Sequence, residues 1–223
     1  AFFTGRDQSQ SFTSYWAQQF GTPNYAAHGG FCSVNMAAGG IYTLGGAFWE
    51  FGSPDWDMTK LFMIFGVAED HDSNPIKIGI GKLKSAGGRV IGVNPVRTGY
   101  NAVADEWVGI TPGTDGLFIL SLVHELLRTG HIDVDYLSRW TNAGYLLDQN
   151  EGEASGLFVR DENDKPLVWD SVTNMLQPFD KKGVRPILKG DIPLPSGGTA
   201  KPVFETMAKK YLDPQYAPDA VAE

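Results

Sequence analysis

Cysteine is almost missing from this sequence: Cys32 stands alone among 223 residues. No internal disulfide can form, and no CxxC pair exists to hold an iron–sulfur cluster or a structural zinc. A cysteine so isolated is most often a small buried hydrophobe. Positive charge is also scarce. The 18 Lys and Arg face 26 Asp and Glu, for a net charge of -8, and the cations form no stripe. This excludes a binder of nucleic-acid backbones, whose affinity comes from clustered cations. The scattered acidic residues read simply as solubility. No apolar run approaches the ~20 residues of a membrane helix; the most apolar, residues 61–68, is strand-sized. There is no signal-peptide pattern, no repeat and no low-complexity tract. The chain opens at Ala1 on an apolar Phe2-Phe3, as the interior of something larger or a processed end would.

Several motifs are incomplete. His124-Glu125-Leu126-Leu127-Arg128 begins like a zinc-protease helix, but Arg128 stands where the second His is needed. His124 therefore reads as a packed histidine. Gly79-Ile80-Gly81-Lys82-Leu83 has a Gly-Lys pair without the Ser or Thr of a phosphate loop, and it falls inside a helix. No G-x-S-x-G elbow and no G-x-G-x-x-G turn after a first strand is present.

What is present is an α/β alternation. Composition is that of a soluble globular protein, 42% hydrophobic and 20% charged. Residues 2–5 read as a short strand, 9–20 as a helix, and Gly21-Thr22-Pro23-Asn24 as a turn. Residues 29–46 are rich in Gly, Ala and Ser, which suggests close backbone packing. Leu61-Phe62-Met63-Ile64-Phe65 is a continuous apolar run ending at Gly66, as for a strand buried on both faces. Ser73 or Asn74 caps a following helix with Pro75 at its first position, and Gly87-Gly88 stops it. Arg89-Val90-Ile91-Gly92-Val93 is a second buried strand, so the crossover gives parallel pairing. A short helix near 100–104, a strand near 107–110 and a helix over 117–128 follow. That last helix is apolar on most faces and reads as buried. Gly130 closes it, and Asp133 caps another. Beyond Asn142, residues 157–160 and 166–169 flank 161–165 as a β-hairpin. Residues 177–199 read as irregular and 204–211 as helical. The fold class is thus α/β, a Rossmann-like parallel sheet with flanking helices and a hairpin excursion near the C-terminus. The expected division is an α/β domain over 1–150 and an extension over 151–223.

Ligands of parallel sheets sit outside the carboxyl ends of the strands. Three such ends are polar here: residues 66–72, 94–98 and 111–116. Asn94 occupies the place of a ribose-binding side chain, Arg97 could neutralise a phosphate, and Asp115 could accept from a guanine donor edge. Taken singly, Asn94 reads equally well as a turn residue, Arg97 as a solvated charge and Asp115 as a helix cap. Together they favour a nucleotide site.

The run Asn94-Pro95-Val96-Arg97-Thr98, then Ala104-Asp105, then Pro112-Gly113-Thr114-Asp115-Gly116 resembles the molybdopterin oxidoreductases, the dimethyl-sulfoxide-reductase superfamily. The family's form is D-P-R-x-T, A-D and P-G-T-D at this spacing. Phe20-Gly21-Thr22-Pro23-Asn24, the Cys32 region, Gly66, the His71-to-Pro75 loop, Lys201-Pro202-Val203-Phe204-Glu205 and Tyr216-Ala217-Pro218-Asp219 extend the likeness over most of the chain. The resemblance implies a catalytic-subunit fragment binding a molybdopterin guanine dinucleotide with molybdenum or tungsten. It assigns Asn94, Pro95, Val96 and Thr98 to the ribose–phosphate contact and Gly113 and Asp115 to the guanine contact, with Gly66, Glu69, His71, Arg97, Pro112 and Gly116 also on the cofactor. Asn94 replaces the usual Asp and Val96 the usual Arg, with Arg97 as the substitute cation. Cys32 falls at the metal-ligand position, where a soft thiolate suits molybdenum or tungsten. Ser33 follows it where formate dehydrogenases have His, which counts against formate oxidation.

The residues 68–75 look most like the branch acting on inorganic sulfur compounds. Sulfite oxidation is the first expectation and thiosulfate or polysulfide reduction the second, with a formate-dehydrogenase-like subunit or a non-catalytic α/β interaction domain as the alternatives. The resemblance further implies a [4Fe-4S] cluster in an N-terminal part absent here, a small inorganic substrate and no nucleic acid. The partners it implies are a membrane anchor and an iron–sulfur electron-transfer subunit. The isolated segment is expected to be inactive. The expected location is cytoplasmic, peripheral to the inner membrane through the partners.

Overall fold

A computed structural model describes residues 1–5, 10–31, 33–44, 46, 54–66, 76–97 and 99–222. Two compact units emerge, Ala1–Phe62 with Asp70–Val90, and Met63–Glu69 with Ile91–Glu223.

In the first unit, strand β1 (Phe2–Thr4) pairs in parallel with β2 (Tyr25–Ala27). Helix α1 (Gln10–Phe20) lies between them in sequence. Ala17 of α1 is buried, and Trp16 packs on Phe2 with ring centroids 5.0 Å apart. Gly21, at φ 78, makes the turn out of α1, a conformation open to residues without a Cβ. Helices α2 (His28–Phe31) and α3 (Ser33–Leu44) follow. The amino-terminal part of β3 (Leu61–Phe65), helix α4 (Ile76–Ser85) and the first residues of β4 (Arg89–Val93) complete the unit. Gly79 of α4 packs directly on the Trp56 indole, whose Cδ2 lies 2.6 Å from where a Cβ would stand. Gly87, at φ 81, and the bond from Gly88 N to Leu83 O (2.9 Å) end α4 as the glycine pair predicts. The expected cap and Pro75 of this helix lie outside the described residues.

The second unit holds the carboxyl ends of β3 and β4 and all of β5 (Glu106–Val108). The sheet order is β3-β4-β5, and β4 and β5 run parallel with Ile91 opposite Glu106 and Val93 opposite Val108. A 3₁₀ turn, Gly99–Ala102, connects them. Helix α5 (Asp115–Thr129) follows, closed by Gly130 at φ 73. Next comes α6 (Val134–Trp140), capped by Asp133, whose side chain accepts from Tyr136 N at 2.8 Å. Strand β6 (Leu146–Asp148) leads to the hairpin β7 (Leu167–Asp170) and β8 (Met175–Pro178). Short β9 (Ile192–Pro193) and β10 (Thr199–Pro202) join β6 in the order β6-β10-β9, antiparallel. Helices α7 (Val203–Tyr211) and α8 (Pro218–Ala222) end the chain. Leu146, Ile192, Leu194 and Ala200 form one core, and Ala143, Leu188, Phe204 and Ala208 another. Burying each larger side chain contributes about 1.5–3 kcal/mol.

The α/β class and the parallel pairing agree with the sequence pattern. Two burial expectations do not hold. Leu61 is 52% exposed and Phe62, Met63 and Phe65 are only half-buried, so β3 is not covered on both faces. Helix α5 buries Ser121 and His124 but exposes Leu117, Ile119, Leu122 and Leu126. Uniform apolarity predicted a surrounded helix, yet α7, α8 and the 3₁₀ turn Pro214–Tyr216 meet it without covering these four side chains. His124 is packed, as expected, with Nδ1 2.9 Å from Tyr211 O. The hairpin is also longer than the sequence suggests. The turn over 161–165 exists, marked by the Arg160–Pro166 bridge and by Asp161 Oδ1 accepting from Asn163 N and Lys165 N. The continuous ladder, however, is the next one, β7 with β8.

Candidate nucleotide edge

The site belongs to the second unit. Strand β3 ends at Gly66, whose N–H donates to Val93 O at 3.1 Å. Its φ of 55 turns the chain through the left-handed region, which suits a glycine at the edge. Strand β4 ends at Asn94, whose N–H extends the ladder to Val108 O at 3.1 Å. Strand β5 runs through residues 109–111 to Pro112 and the first turn of α5. Phe65 and Phe118 lie 6.2 Å apart between ring centroids, linking the end of β3 to that turn. Gly66, loop 94–97 and turn 112–116 therefore lie along one edge.

Loop 94–97 is folded on itself. Asn94 Oδ1 accepts from Val96 N at 3.3 Å, an Asx turn. This fixes the carboxamide: the oxygen faces the loop amide, leaving the Nδ2 hydrogens as the groups available to a ligand. An Asp here would offer only acceptors. Pro95, Val96 and Arg97 are exposed. The guanidinium can give parallel hydrogen bonds to an anion.

At the third strand end, Gly113 adopts φ 88, and a Cβ there would meet nothing within 4 Å. The glycine is thus demanded by the turn rather than by crowding. Thr114 is the N-cap residue, but its hydroxyl donates to Thr111 O at 2.7 Å and makes no cap bond. Asp115 is the first helical residue and half-buried, so it is not the cap that one reading of the sequence suggested. Its carboxylate stands at the amino-terminal end of a 15-residue helix.

The edge thus offers a neutral donor, a cation and an anion in sequence, all at strand ends. That set can engage a ribose–phosphate and a base with paired N–H donors. Pro112, Gly113 and Gly116 are exposed beside Asp115. Glu69, His71, Thr98 and Cys32, also expected at the site, lie outside the described residues. Among the described residues there is no group of three or more His, Cys, Asp or Glu that could hold a metal, and no helix is long and apolar enough to cross a membrane. The sequence reading missed Trp107, whose indole N–H donates to Asn94 O at 2.9 Å, and Asn101, whose Nδ2 approaches Val96 O at 3.5 Å. Two signals pointed there: a Trp needing a partner for its N–H, and Gly92 inside a β run, which marks a close approach.

No family model matches the chain. It is 51% identical over 232 aligned positions to a sulfite dehydrogenase subunit of Allochromatium vinosum, covering 100% of this chain and 24% of that protein. It is 28% identical to a tetrathionate reductase subunit of Archaeoglobus fulgidus, covering 74% of this chain and 16% of the relative. It is 23% identical to the molybdopterin-containing subunit of a thiosulfate reductase of Salmonella typhimurium, covering 74% and 22%. The chain therefore spans about a quarter or less of the length of these relatives. The likeness to the first extends over the whole of this chain, and the sequence is similar to molybdopterin oxidoreductases.

Proposed function

We propose that this chain is the part of a molybdopterin oxidoreductase catalytic subunit that holds the guanosine end of a molybdopterin guanine dinucleotide. The observation that carries the reading is the shared edge of Gly66, loop 94–97 and turn 112–116. Its donor set fits the group. Asn94 Nδ2 and Arg97 suit ribose and phosphate oxygens, the open turn at Gly113 leaves room for a base, and Asp115 matches the N1 and N2 hydrogens of guanine. Gly66, Glu69, His71, Pro95, Val96, Thr98, Pro112 and Gly116 would line the same cofactor. When bound, the cofactor supplies the redox chemistry, and the protein binds, orients and excludes water.

Cys32 is the proposed thiolate ligand to molybdenum or tungsten. The whole protein is proposed to act on an inorganic sulfur compound, by sulfite oxidation first. Two observations support that choice: the relative of 51% identity named a sulfite dehydrogenase, and Ser33 after Cys32. The reading includes a [4Fe-4S] cluster, a membrane anchor and an iron–sulfur partner subunit, with the assembly on the cytoplasmic side.

The test is elemental and nucleotide analysis of the full-length protein. Acid hydrolysis should release guanine nucleotide together with molybdenum or tungsten. Sulfite-dependent dye reduction should accompany it. Protein purified without molybdenum or tungsten, or a metal-bearing protein that releases no guanine, contradicts the reading.

A further inference from the structure

Loop 94–97 is held by two side chains that do not belong to it. Trp107 Nε1 donates to Asn94 O at 2.9 Å, and Asn101 Nδ2 reaches toward Val96 O at 3.5 Å. The loop's own bond from Val96 N to Asn94 Oδ1 measures 3.3 Å, which is long for an N–H···O bond. The indole contact is the shortest of the three. Asn101 is buried and presses on the strand preceding the loop. A Cβ at Gly92 would come within 3.0 Å of its Cγ and 3.2 Å of its Cα, and would overlap its Oδ1. Glycine at 92 and asparagine at 101 are therefore a matched pair, the first making room for the second.

We propose that Trp107 and Asn101 are positioning residues for the nucleotide, acting through the carbonyls of Asn94 and Val96. With Asn94 O held by the indole and Val96 O near Asn101, the loop backbone keeps Val96 N–H against Asn94 Oδ1, which turns Nδ2 outward. Without the tie, the carboxamide can rotate and offer its oxygen to a phosphate, which repels it. The inference rests on the nucleotide reading of this edge but concerns residues that touch no nucleotide.

Trp107→Phe keeps the ring and removes the donor, in the cofactor-free full-length protein. The expected result is faster amide hydrogen exchange at Val96 and Arg97. GDP binding by calorimetry should weaken about fivefold, the effect of one neutral hydrogen bond, with the melting temperature held within about 2 °C. Gly92→Ala and Asn101→Ala should each weaken GDP binding, and the double variant should be no weaker than the worse single one. Unchanged affinity in Trp107→Phe overturns the proposal whether or not exchange rises, and leaves the nucleotide reading intact provided the parent binds GDP. Additive losses from Gly92→Ala and Asn101→Ala overturn the matched pair. A parent protein that fails to bind GDP removes the nucleotide reading, and the positioning role with it.

Discussion

Asp170 is nearly fully buried at the end of β7, and its carboxylate accepts from four donors. These are Arg185 N at 2.9 Å, the Thr173 hydroxyl at 2.7 Å, Thr173 N at 3.2 Å and Val172 N at 3.3 Å. The backbone bond from Arg185 and the Thr173 hydroxyl are the main causes that lower its pKa from 3.8 to about 2. Because the folded value lies below the unfolded one, the unfolded chain binds the proton first as pH falls. The contribution is complete above about pH 4 and is lost as pH drops through about 2. Urea midpoints of the parent and Asp170→Asn should differ most near neutral pH and converge toward pH 2. A difference constant from pH 7 to 2 would contradict this role. The sequence offered no hint of it, since an Asp following a strand is ordinarily solvated. Three of the donors are local, and the fourth, Arg185 N, arrives only when residue 185 returns beside the hairpin. Asn94 is the opposite case. Its position at a strand end was legible from sequence, and only the direction of its carboxamide needed the fold.

Among the elements, helix boundaries were the most legible feature because caps are local. Asp133 was expected as a cap and is one, bonded to Tyr136 N. Asp133→Ala should cost about 1 kcal/mol and lower the melting temperature by roughly 2–4 °C, measurable by circular dichroism. Gly130, at φ 73, terminates α5, and Gly130→Ala should cost about as much, since alanine strains that conformation. A change under about 0.3 kcal/mol at both sites would contradict the capping account. Burial was the less legible property. The apolar content of α5 predicted enclosure, but the helix leaves Ile119, Leu122 and Leu126 partly exposed. Periodicity reports which residues are apolar, not whether a partner surface is present. The hairpin shows the same limit. The turn over 161–165 was visible in the sequence, whereas the β7–β8 ladder depends on the cross-strand pairing of Trp169 with Leu176.

For the molecule as a whole, the motifs spread over residues 94–116 carried more than any single residue could. They were spaced as the strand ends of one sheet, and the fold brings those ends to one edge. Cys32, Glu69, His71 and Thr98 remain tied to the motif pattern alone, as they lie outside the described residues. Cys32→Ser in the full-length protein should lower the metal-to-protein ratio or alter the metal's absorption spectrum. An unchanged spectrum with full metal content would remove the ligand role.

The central claim is that this edge recognises guanine through Asp115. Titration calorimetry of the cofactor-free full-length protein with GDP and with ADP tests it most directly. Adenine lacks the paired N1 and N2 donors, so GDP should bind at least about tenfold more tightly, as one or two charge-assisted bonds imply. Asp115→Ala should abolish that preference while leaving the weak phosphate-dependent binding shared by both nucleotides. Equal binding of GDP and ADP by the parent, or a guanine preference that survives Asp115→Ala, would contradict the account.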